Sequence, residues 1–107
     1  MSAPEALIIF STCPPAAAPA IARTLVEEKL AACVNVLAGV HSVYRWQGRI
    51  EDAAETLLII KTTTDHYDEL EHRLRALHPY DVPEILAVPV ARGYPPYVDW
   101  LQNRART

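Results

Sequence analysis

The sequence predicts one α+β domain with a four-stranded antiparallel sheet and two helices on one face. Three observations predict it. Apolar runs of strand length alternate with amphipathic stretches in the order β-α-β-β-α-β. A Gln47-Gly48 pair separates two long strand-like stretches as a tight turn. Each helical stretch opens on Pro or on a capping residue.

Ala6 to Phe10 is a short apolar run that leads into Ser11-Thr12-Cys13-Pro14-Pro15, so it reads as a buried strand. Pro19 suits the first turn of a helix, which the pattern carries to about Leu30 with Ile21, Leu25 and Val26 on one face. Ala32 to Arg45, rich in Val and closing on Tyr44-Arg45-Trp46, is a second strand, and Arg49 to Thr63 a third. Asp65 is a candidate N-cap for a second helix whose stripe is Tyr67, Leu70, Leu74 and Leu77. Glu69/Arg73 and Glu71/Arg75 are spaced as supporting pairs, and His78-Pro79 ends the helix. Glu84 to Val90 is a fourth strand, marked as an edge by Pro89, which cannot donate to a ladder. Pro95-Pro96 opens a last helix through Leu101 to about Arg104. This is the ferredoxin-like arrangement, with spatial strand order 4-1-3-2.

A chain of 107 residues has room for one domain, taken as residues 1–107. Half its residues are apolar, which excludes a disordered chain. A formal charge of −3 argues against nucleic acid and anionic membrane surfaces as partners. No apolar run has the length of a membrane span, and Met1 to Glu5 lacks the basic start of a signal peptide, so the cytoplasm is the expected address.

Two features predict self-association. Strands 1, 3 and 4 are apolar at consecutive positions (Leu7 to Phe10, Leu57 to Ile60, Ile85 to Val88), so something must cover the face away from the helices. The second and third strands are also long. A 14-residue strand spans roughly 46 Å, whereas a compact domain of this size is roughly 34 Å across. The hairpin tip therefore overhangs and offers Tyr44 and Trp46 to a neighbour. A bulge in one strand, or a last helix laid on the free face, would reduce both effects.

Strand order also locates a site. The end of strand 1 at Cys13, the hairpin tip from Trp46 to Glu51, the end of helix 2 at His78 and the start of strand 4 at Glu84 share one edge of the sheet. Thiolate, imidazole and carboxylate suit copper or zinc. The same three residues also have structural roles open to them: a small side chain in a Pro-flanked turn, a helix C-cap and a partner for strand-end amides. Lys61 follows an apolar run and reads either as an anion contact or as a snorkelling lysine. There is no Gly-rich phosphate loop and no assembled nucleophile–base pair, so catalysis is not expected.

Five segments resemble the CutA family of divalent-cation tolerance proteins. They are Cys33-Val34-Asn35, Tyr44-Arg45-Trp46-Gln47-Gly48-Arg49-Ile50, Glu55 to Thr62, His78-Pro79-Tyr80-Asp81-Val82-Pro83-Glu84-Ile85 and Tyr94-Pro95-Pro96-Tyr97-Val98-Asp99-Trp100. The resemblance implies a ferredoxin-like homotrimer with no established catalysis, linked to tolerance of copper and other divalent cations. It further implies a copper site at Cys13 and at two adjacent histidines. Of these only His78 is present; the preceding position is Leu77. Similarity of such trimers to PII signalling proteins implies an alternative, a small effector held between subunits near Trp46, Lys61 and Glu84.

Overall fold

A computed structural model of the chain describes residues 4–104, so the reading of the first three residues lies outside the described part. Four strands form one antiparallel sheet: β1 (Ala6–Cys13), β2 (Cys33–Trp46), β3 (Arg49–Thr63) and β4 (Leu86–Pro89), in the order β2-β3-β1-β4. The helices are α1 (Ala18–Glu27), α2 (Tyr67–Leu77) and α3 (Pro95–Arg104).

Pairing along the sheet decides which side chains face the core. Ile9 opposes Ile60 and Ser11 opposes Leu58, and this face meets Ile21 and Leu25 of α1 and Leu70 and Leu74 of α2. On the other face Phe10 opposes both Ile59 and Leu86, Ile8 opposes Val88, and Leu37 opposes Leu57. Helix α3 packs on this second face against β3 and β1 through buried Leu101, but it covers only part of it. Leu86 is 61% exposed and Val88 47%. That apolar face is unsatisfied in a single chain.

The hairpin overhangs as its length implies: the chain measures 49 × 25 × 23 Å. Gln47 and Gly48 both have positive φ, 50° and 78°, the geometry of a two-residue turn whose twist matches the flanking strands. A bulge interrupts β2 between Leu37 and Val40, where Gly39 takes φ 83°. The bulge and the covering helix coexist with the overhang rather than removing it.

Several boundaries differ from the sequence expectation. β1 runs to Cys13 rather than Phe10, because Thr12 and Cys13 still find partners in Leu57 and Thr56. A 3-10 turn, Pro15–Ala17, precedes α1. That helix stops at Glu27, not Leu30, because Lys29 adopts φ 62° and the amides of Lys29 and Leu30 turn back to the carbonyls of Val26 and Leu25. This closes the helix as a glycine would, with lysine in the left-handed position. Asp65 does not cap α2; it sits within a 3-10 turn, Thr64–His66, and accepts from the Thr63 hydroxyl. β4 begins at Leu86, since Glu84 and Ile85 have no ladder partner. Arg73 reaches across to Glu28 with two hydrogen bonds of 2.9 Å, tying α2 to the end of α1 rather than pairing with Glu69.

Candidate functional site

A cleft of about 740 Å³ opens where the sheet edge, the hairpin and the segment after α2 meet. Trp46 and Tyr44 enter from β2, Glu55 from β3, and Tyr80, Asp81 and Glu84 from the segment between α2 and β4. Helix α2 stops at His78-Pro79 because proline restricts the preceding residue to extended backbone; His78 has ψ 135°. The chain then crosses the end of β1, which sets Tyr80 over the sheet.

The floor is a connected polar network. His78 Nε2 lies 2.8 Å from the Thr12 carbonyl oxygen, and its Nδ1 accepts the Tyr80 backbone N–H at 3.1 Å. This pair of partners fixes the neutral tautomer with the proton on Nε2 and uses both ring nitrogens. The Tyr80 hydroxyl donates to Glu55 Oε2 at 2.8 Å. Glu55 is only 5% exposed, and no ion pair reaches it among the described residues.

Burial and the Glu55 carboxylate push the Tyr80 phenol up to about 12. A raised phenol pKa stabilises the fold fully below the unfolded tyrosine value of about 10, and that contribution fades as pH climbs through about 12. Tyr80→Phe should therefore flatten the loss of thermal stability between about pH 10 and 12, measured as melting temperature against pH. The same slope in both proteins would remove Tyr80 as its source. Burial, helped by Glu55, also pushes the fully buried Cys13 thiol up, keeping it protonated and a poor ligand or nucleophile.

The sequence-selected residues separate. Trp46 and Glu84 line the cleft. Cys13 and His78 lie behind it: Cys13 in the apolar core beneath the helices, His78 buried with its nitrogens engaged. No group of three or more Cys, His, Asp or Glu side chains among the described residues is arranged to hold a metal ion. As placed, His78 can meet copper only by giving up at least one of its two hydrogen bonds. Lys61 is not in this cleft. It opposes Cys33 and Ile8 at the far end of the sheet, where its Nζ donates to the Tyr97 hydroxyl at 3.2 Å and lies 5.5 Å from that ring's centre. Its four methylenes reach along the sheet to α3, the snorkelling geometry.

Glu55 and Tyr80 were missed as site residues. The signal was present for Glu55: a carboxylate placed two residues before the apolar run Leu57 to Ile60 must either face out or find a buried role.

The family model for CutA1 divalent ion tolerance protein matches residues 7–104. The chain belongs to the CutA1 family. The divalent-cation tolerance protein CutA of Thermus thermophilus is 54% identical over 83 residues, covering 78% of this chain and 81% of that protein. Its solved structure superposes with a TM-score of 0.90 at 48% identity, over 92% of this chain and 97% of the other. A structure described as PII-like protein CutA from Nostoc, in apo form, gives a TM-score of 0.88 at 36% identity, over 92% of this chain and 97% of that one. The chloroplastic CutA of Arabidopsis thaliana is 45% identical over 86 residues; these are 80% of this chain but 47% of the plant protein. No helix among the described residues is long and apolar enough to cross a membrane.

Proposed function

We propose that this CutA1 protein serves divalent-cation tolerance as a non-catalytic cytoplasmic homotrimer, and that its working site is the cleft between Trp46 and Glu84, used in the PII-like manner to hold a small ligand. The observation that carries this reading is the build of the cleft. It has the volume of a small-molecule site, aromatic walls and a buried carboxylate at its floor. Cys13 and His78, by contrast, are committed to the scaffold that shapes it. Trimerisation draws support from the apolar second face and the overhanging hairpin. Copper held by Cys13 and His78 is the second reading; it rests on the convergence of His78 with the end of β1, one residue from Cys13.

Copper titration of wild type, Cys13→Ser and His78→Ala under reducing conditions separates the two. The cleft reading expects the Cys13→Ser protein to bind copper no more weakly than wild type. It also expects a cleft ligand to raise the melting temperature with chelator present, as any molecule that binds only the folded state must. Stoichiometric copper bound by wild type and lost in Cys13→Ser would install the metal reading in its place.

A further inference from the structure

We propose that the cleft takes an organic ammonium ion, and best a linear diamine, with one ammonium group on Glu55 and the second at the rim beside Asp81 and Glu84. The inference rests on the reading of the cleft as a ligand site and names the class of ligand.

Glu55 is the first ground. A carboxylate 5% exposed is expected to meet a cation, because an ionised group taken out of water without one is costly. Its one hydrogen-bond partner among the described residues is neutral, the Tyr80 hydroxyl on Oε2, and Oε1 keeps access to the cleft rather than being sealed in, for the buried side-chain atom left without a partner is Ser11 Oγ. The neighbouring groups do not compensate, since neither a thiol nor a phenol can carry positive charge. Glu55 lines the cleft, so the missing positive charge can arrive from there.

The second ground is the rest of the lining. Among the described residues that line the cleft, Glu55, Asp81 and Glu84 are acidic and none is Lys, Arg or His. An anionic metabolite would meet like charge at floor and rim alike. Tyr44, Trp46 and Tyr80 supply aromatic faces, which attract ammonium groups and pack against methylenes. A bare metal ion is the poorer match. It needs a shell of oxygen ligands converging within about 2.0–2.6 Å of one point, whereas no such group of side chains is assembled among the described residues. A cleft of about 740 Å³ holds a chain of atoms rather than one ion.

The test uses 1,4-diaminobutane, n-butylamine, ATP and Mn²⁺ as probes, read by calorimetry and by tryptophan emission, with Trp46→Phe assigning the signal. The expected order is diaminobutane tighter than butylamine, with no shift from ATP. Glu55→Gln, which can still accept from Tyr80, should weaken both amines at least tenfold. Glu84→Gln should weaken the diamine and leave butylamine unchanged, and this arm decides the matter if Glu55→Gln does not fold. An amine that binds and also lowers the mass of the assembly overturns the proposal, since the cleft is then an interface between copies and not an amine site. A Trp46 response to ATP or Mn²⁺ with none to amines overturns the ammonium assignment and leaves the cleft reading standing. Silence from every probe takes down both.

Discussion

Replacing Leu86 and Val88 together with Glu is expected to turn the assembly into folded monomers. Both side chains stand on the second face of edge strand β4, 61% and 47% exposed in the single chain. Changes at such positions alter the stability of an isolated domain by roughly ±0.5 kcal/mol. In an assembly that covers this face, each substitution instead buries an unpaired carboxylate, which costs several kcal/mol or more, and every copy carries both. Light scattering should fall from three times the monomer mass to the 11.9 kDa of one chain, with the circular dichroism spectrum kept. A variant that keeps the wild-type mass would place the interface elsewhere. A wild type that is itself monomeric would end the trimer reading.

Leu74→Ala is expected to be the most damaging single truncation in the core. Leu74 is fully buried on α2, in the cluster that joins both helices to Ile9, Leu58 and Ile60. Such truncations cost roughly 3–5 kcal/mol from lost transfer energy and the cavity left behind. That is a large share of the roughly 5–15 kcal/mol available to a domain. Val26, 41% exposed near the end of α1, is the control: its truncation should cost under about 1 kcal/mol. Urea melts at one fixed protein concentration make the comparison, since self-association adds a concentration-dependent term. Equal losses for the two variants would mean that the packing described is not what holds α2.

The fold was legible because its signals are local and repeated. β3 was read to the residue and α2 correctly at its end, where the punctuation is strong: Gln47-Gly48 before one, His78-Pro79 after the other; the start of α2 differs, because Asp65 lies in a 3-10 turn ahead of the helix. The misplaced ends have separate causes. Lys29 ends α1 by adopting a conformation usually left to glycine, and no residue type announces that. β4 lost its first residues because its ladder with β1 runs only from Leu7 to Phe10, and the Thr12 carbonyl further along β1 is taken by His78. The site was legible as a location, since strand order alone puts Trp46 and Glu84 at one edge of the sheet. Its chemistry was less so. Cys13 and His78 carry the residue types of a metal site, but whether a ring nitrogen is available depends on the Thr12 carbonyl and the Tyr80 amide. Those are backbone groups, and composition does not report where they point.

The two-residue turn at Gln47-Gly48 also bears on the order in which the chain folds. β2 and β3 are neighbours in sequence, so their ladder can zip from Trp46 opposite Arg49 with almost no loop to close. β1 must instead find β3 across the 56 positions that separate Ala6 from its partner Thr63. Contacts of that separation are slow to form. In pulsed hydrogen exchange, amides of Val40 to Trp46 should be protected before those of Ile8 to Thr12. Until β1 inserts, the hairpin is an apolar ribbon with both edges open, the kind of species that pairs with copies of itself. A chain proposed to self-associate in its finished state thus passes through a form able to associate in the wrong register, and the speed of β1 docking sets how long that window stays open.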